Sequence, residues 1–225
     1  MKSVLTRYKP FLLLFCFAAV SISFAAVGFK ARHSVDLGEF IKEITIINVD
    51  GNQTQSAIWL PFEFNAAVSA GSDAQADISF LKSYLIFMVN CSIERSGKQI
   101  YATETEIQKR VILKSGSSAR LKPLVSVPPD VQKNLDSIKS AISASAGGNM
   151  HMLVFDFKDS AGKPMVDASK RDKLTLILEP AGAYSKTEFV WHTPFDAVTA
   201  AGNCPVCGEK IKAKWHYCPW CGNKL

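Results

Sequence analysis

Tyr84-Leu85-Ile86-Phe87-Met88-Val89-Asn90-Cys91-Ser92-Ile93-Glu94 is the stretch on which the fold turns. It is almost wholly apolar, rich in β-branched and aromatic side chains, and closed by the turn-like Arg95-Ser96-Gly97-Lys98. That combination predicts a central strand. Upstream, residues 44–50 (ITIINVD) are β-rich and Asp50-Gly51 signals a hairpin. The return segment, residues 54–64, carries Ile58, Trp59, Leu60, Phe62 and Phe64. Pro61 marks it as an edge strand or a bulge. Asp73 is placed to cap a short helix running to Lys82.

Downstream, residues 99–103 and 107–114 read as returning strands, and Ser115-Gly116-Ser117 turns into residues 119–125. Pro128-Pro129-Asp130 opens a helix that carries Val131, Leu135, Ile138 and Ile142 on one face, and Gly147-Gly148 ends it. Residues 150–157, 174–179 and 187–192 follow as strands, and residues 193–203 read as a linker. Eight or nine strands with one or two helices predict a mainly β protein. The architecture is a β-sandwich of immunoglobulin-like type, or an α+β domain with one amphipathic helix. Trp59, Phe62 and Phe64, and separately Phe189, Trp191 and Phe195, read as core clusters at opposite ends of this body.

The chain is 48% hydrophobic and 20% charged, a globular composition. Its net charge of +6 would ordinarily suggest nucleic acid, but the distribution argues against it. Residues 1–30 contribute Lys2, Arg7, Lys9 and Lys30 with no acid. Residues 201–225 contribute Lys210, Lys212, Lys214 and Lys224 against Glu209. That leaves 18 basic and 19 acidic side chains in residues 31–200, so the body is nearly neutral.

The N-terminal charges precede an uncharged apolar run from Phe11 to Phe29, the pattern of an export segment. Two readings of residues 1–29 are open. Ser23-Phe24-Ala25 offers a signal-peptidase site near Ala25 or Ala26. Alternatively the run, about 28 Å long as a helix, is retained as a membrane anchor flanked by Lys30 and Arg32. Bulky Phe15 argues against lipidation at Cys16. Either way the body is expected in the cell envelope, on the periplasmic or extracellular side.

Catalytic motifs are missing: there is no Walker loop, dinucleotide fingerprint, H-E-x-x-H or G-x-S-x-G. The S-x-x-K matches at Ser79 and Ser160 lack a K-T-G strand and read as coincidence. His151 reads as a strand-end side chain with a solvent or backbone partner. Cys91 reads as a small buried hydrophobe. Glu104 and Glu106, with Lys109 and Arg110 nearby, read as a solvated charged face on a strand.

The specific chemistry is in the last 22 residues: Cys204-Pro205-Val206-Cys207-Gly208 and Cys218-Pro219-Trp220-Cys221-Gly222. Paired C-x-x-C units supply four thiolates for a tetrahedral cation such as Zn²⁺. Each glycine permits a left-handed backbone that turns amides toward the sulfurs. His216 sits between the knuckles as an outer or exposed group, since four thiolates complete the shell.

This stretch resembles a short zinc ribbon, over residues 203–225 and nothing upstream. The resemblance implies structural zinc on Cys204, Cys207, Cys218 and Cys221, with Ile211 and Trp215 forming most of a core that needs the metal to fold. Rubredoxins hold iron between similar knuckles set much farther apart. In an oxidising compartment the same cysteines could instead close as disulfides or act as redox pairs.

The organisation expected is therefore residues 1–29 as signal or anchor, 34–195 as a β-rich domain and 203–225 as the ribbon. The leading function is a non-enzymatic envelope protein that binds or scaffolds a protein partner, touching the membrane through residues 1–29 if these are retained. Lys210, Lys212 and Lys214 alternate along a strand, a face suited to an anionic partner or simply to water. A thiol-redox or electron-transfer protein is the alternative, and nucleic-acid binding lacks electrostatic support.

Overall fold

The computed structural model describes residues 35–62, 79–116, 119–146, 149–200, 202–213 and 215–225. The export segment, Phe64, Asp73 with the first part of its proposed helix, Gly147-Gly148 and Lys214 lie outside the described residues, and the end of that helix is a 3-10 turn over Ser79–Ser83. Among the described residues no helix is long and apolar enough to cross a membrane.

The apolar run forms a strand of 12 residues, Tyr84–Arg95, here β3. Before it come α1 (Leu37–Ile44), β1 (Thr45–Asp50) and β2 (Gln53–Trp59); after it come β4 (Lys98–Tyr101), α2 (Glu104–Arg110), β5 (Val111–Ser115) and β6 (Arg120–Leu121). The body closes with α3 (Pro129–Ala146), β7 (His151–Asp156), β8 (Asp172–Leu178) and β9 (Thr187–Thr193), and the tail adds β10 (Gly202–Asn203) and β11 (Lys210–Ile211). All ladders are antiparallel. The first sheet runs β1-β2-β3, and the far side of β3 is shared between β4, opposite Ser92–Arg95, and β7, opposite Tyr84–Val89. The second sheet runs β6-β5-β8-β9. The protein is mainly β, as expected.

β3 is apolar on both sides because both sides are covered. Leu85, Phe87, Val89 and Cys91 face the second sheet, in one core with Leu113, Leu174, Leu176, Phe189 and Trp191. Ile86 and Met88 point the other way, into a second core with Val131 and Leu135 of α3. The helix face read from the sequence is thus the one that packs, with Ile138 and Ile142 at its margin.

Four readings change. β2 lies between β1 and β3 and is no edge strand; it ends at Trp59, so Pro61 falls beyond the ladder and removes no hydrogen bond from it. Residues 104–110 form α2 instead of a strand. Thr103 Oγ1 accepts from the Glu106 amide at 3.3 Å while Glu106 Oε2 accepts from the Thr103 amide at 2.7 Å, a reciprocal cap that starts a helix. Residues 119–125 form a strand only at Arg120–Leu121, and Leu124 donates its amide to the Val154 carbonyl of β7 at 2.7 Å.

The fourth concerns the aromatic residues: Trp59 joins Phe189, Trp191 and Phe195 in one core, while Phe62 packs against the other. Trp59 lies 6.1 Å from Trp191 and 5.2 Å from Phe195, and Phe87 lies 5.3 Å from Trp191, ring centre to ring centre. The segment read as a linker supplies part of this core, through buried Phe195, Ala197 and Val198 after a cis Thr193-Pro194 bond.

Trp191 also donates its indole N–H to the Ile44 carbonyl at 2.9 Å, tying β9 to the start of β1. Trp191→Ala removes a fully buried ring and orphans that carbonyl, and is expected to cost about 3–5 kcal/mol in urea unfolding. A loss below about 1 kcal/mol would show that the cluster does not join the sheets.

Candidate metal centre

The two knuckles are built alike, residue for residue. In the first, the Gly208 amide donates to the Cys204 carbonyl at 2.9 Å and the Cys204 amide to the Glu209 carbonyl at 2.8 Å. In the second, Gly222 donates to Cys218 at 2.8 Å and Cys218 to Asn223 at 2.8 Å. Each turn closes only because its glycine takes a left-handed backbone, φ +76° at Gly208 and +71° at Gly222. β10 and β11, paired through Gly202–Ile211 and Asn203–Lys210, bring the first knuckle back toward the second.

The four sulfurs lie within 4.8 Å of one another. The contacts across the knuckles are Cys204 to Cys221 at 3.7 Å and Cys207 to Cys218 at 3.6 Å. A tetrahedral thiolate shell with bonds of about 2.3 Å places its sulfurs about 3.8 Å apart, so this spacing fits a single central ion. Cys204 and Cys218 are buried, while Cys207 and Cys221 face outward.

Backbone amides prepare the donors. Those of Cys207 and Val206 point at the Cys204 sulfur and hold its thiol down to about 6. The Glu209 amide pulls on Cys207 and the Asn223 amide on Cys221. Desolvation and the crowding of neighbouring thiols outweigh them, raising Cys221 and pushing Cys207 up to about 12. Four close thiols cannot all ionise without a cation between them. The cluster can hold a metal ion, and its ligand set is the one read from the sequence. His216 is exposed and stands outside it.

The tail rests on the body through a residue that the sequence reading missed. Arg171, just before β8, donates from Nε to the Ala213 carbonyl at 3.1 Å and from Nη1 to the Leu225 carbonyl at 2.9 Å. Its partners are main-chain oxygens 42 and 54 positions downstream, so no local pattern announces it. Lys212 lies 3.9 Å from Asp196 of the body. β11 ends at Ile211, so the expected row of alternating lysines is not a strand face: Lys210 is exposed and Lys212 pairs with the body. Of the expected tail core, Trp215 is half-buried and packs at 5.5 Å on Trp220, and Ile211 is half-buried.

The other candidates have structural partners. His151 Nε2 lies 3.0 Å from the Ala102 carbonyl, as its strand-end reading predicts. Burial pushes the Cys91 thiol up to about 11 against the pull of the Arg110 charge, and its sulfur approaches Gln55 Oε1 at 3.8 Å. Arg110 is no solvated cation: it is 4% exposed and donates to Glu179 O, Gln55 Oε1 and Ser185 O, with Tyr184 against its guanidinium. α2 turns it inward, which a strand reading of residues 107–114 could not reveal.

No family model matches the chain, and no curated protein matches it. A crystal structure of a DUF4426 family protein from Pseudomonas aeruginosa PAO1 is similar at 14% identity and a TM-score of 0.30, over 67% of this chain and 93% of that one. A likeness at that level carries no argument about this chain. Fold and site together define a two-sheet β protein with an appended four-cysteine centre.

Arg171→Ala removes both anchoring bonds without touching a thiol. Amide exchange is expected to accelerate about tenfold or more across residues 202–225, with β3 and β8 unchanged. Unaltered tail exchange would show that Arg171 is not the anchor.

Proposed function

We propose that the protein is a non-catalytic binding or scaffold protein of the cell envelope whose tail is a structural zinc ribbon. The observation that carries the zinc reading is the tetrahedral spacing of the Cys204, Cys207, Cys218 and Cys221 sulfurs. Four thiolates favour Zn²⁺, which needs no redox partner and no open coordination position to act structurally. The ion would crosslink the two knuckles, and with them the β10–β11 hairpin. The basic, then apolar N-terminal run supports placement in the envelope. The near-neutral body supports a protein partner over nucleic acid.

Native mass spectrometry with metal analysis of the full chain tests this. One zinc per chain and four reduced tail thiols are expected. Metal-free protein lighter by two or four hydrogens would replace the ribbon with disulfides, and bound iron with a measurable potential would favour electron transfer. Because ligation displaces thiol protons, zinc affinity is expected to fall steadily as the pH drops below neutrality, read by a colorimetric chelator. Cys218→Ser is expected to abolish stoichiometric zinc and unfold the tail while leaving the thermal transition of the body within a few degrees of wild type. Full zinc retention in that variant would contradict the ligand assignment.

A further inference from the structure

The docked tail forms one wall of a groove of about 730 Å³ on the open side of the sandwich. That volume falls in the range of small-molecule sites, which concentrate at junctions of this kind. Its apolar lining includes half-buried Ile46 of β1, Val190 of β9 and Trp215 of the tail, Trp191 itself being buried, and its polar lining includes Thr45 of β1, His192 of β9, and Arg171 and Lys173 around the start of β8.

The charges in the groove are unevenly committed. Both acids on its wall are held by main-chain amides: Glu43 accepts from Asp196 at 3.2 Å and Ala197 at 2.8 Å, and Asp172 from Asp167 at 3.1 Å and Lys173 at 2.7 Å. The donors are not so spent. Lys173 makes no ion pair among the described residues, and Arg171 uses only Nε and Nη1 on the tail, leaving Nη2. Thr45 Oγ1 is buried with no hydrogen-bond partner, a cost that a ligand acceptor would relieve.

We propose that this groove binds a small aromatic acid, its ring against the Trp215 indole and its anionic group on Lys173, Arg171 and Thr45. Indole faces take a planar ring. The remaining Nη2 of the Arg171 guanidinium and the Lys173 ammonium take the acid. The site requires the tail docked through Arg171, and does not depend on which ion the tail holds.

Anilinonaphthalene sulfonate, an aromatic anion whose fluorescence reports binding, is the probe, with uncharged N-phenylnaphthylamine as its control. Both are titrated into the full chain with metal content measured in every sample. Saturable binding of the anion at one site is expected, weakened about tenfold by Lys173→Gln and by added salt, with the neutral dye unaffected by the substitution. Thr45→Val removes an unpaired hydroxyl, so it is expected to raise the melting temperature and yet weaken the anion about threefold, a pairing that a purely structural role would not produce. Equal anion affinity in wild type and Lys173→Gln, or binding that never saturates, overturns the proposal. Full metal content without dye binding removes the groove and leaves the zinc reading standing; Lys173-dependent dye binding by zinc-free protein does the reverse.

Discussion

The contact of Trp191 with Trp59 and Phe87 is what makes two sheets into one protein. β2 and β3 contribute to it from one sheet, β9 from the other, and Phe195 from the segment that leads to the tail. Rings of this size bury the most apolar area per residue, and their tilted and edge-on packing sets how the sheets sit against each other. The Trp191 indole then reaches the Ile44 carbonyl, which fixes the junction of α1 and β1 to β9. Burying Phe195 aims the chain at the start of the tail. The position of the cysteine centre therefore begins in the hydrophobic core.

The tail obeys a different rule. Body strands fold by covering apolar surface, whereas the last 22 residues leave Val206, Tyr217 and Trp220 exposed and bury little beyond Cys204 and Cys218. Apolar burial on that scale cannot offset the chain entropy of so many ordered residues. Matched amide-to-carbonyl bonds shape each knuckle, but such bonds exchange for water at small net gain. The remaining source of order is a bond between the knuckles, and four sulfurs at metal-shell spacing are placed to make it through an ion.

What the sequence made legible, and what it hid, follows from the range of the forces involved. β3 was readable because burial on both faces leaves a long unbroken apolar run, and α3 because one buried face imposes helical spacing. The four cysteines were readable because ligand spacing is local within each knuckle. α2 was misread although its capping signal, Thr103-Glu104-Thr105-Glu106, stood in the chain; β-forming Ile107 and Val111 outweighed it in a reading by composition. Arg110, Arg171 and the joining of Trp59 to Trp191 were hidden for another reason. Their partners lie tens of residues away, and nothing in a local window distinguishes a buried arginine from a solvated one.

The open side of the sandwich gives the tail a second consequence. β1 and β9 end their sheets and approach each other there, leaving two strand edges that attract further strands if uncovered. Trp191 spans the gap from inside, while Trp215 and His216 approach it from the tail. Because Arg171 holds the tail by main-chain oxygens, its share of the docking requires a folded tail, to which the Lys212 side chain adds its pairing with Asp196. Ordering the knuckles thus supplies both the carbonyls that Arg171 needs and the wall that narrows the cleft. Coverage of this edge is coupled to whatever holds the four thiols together.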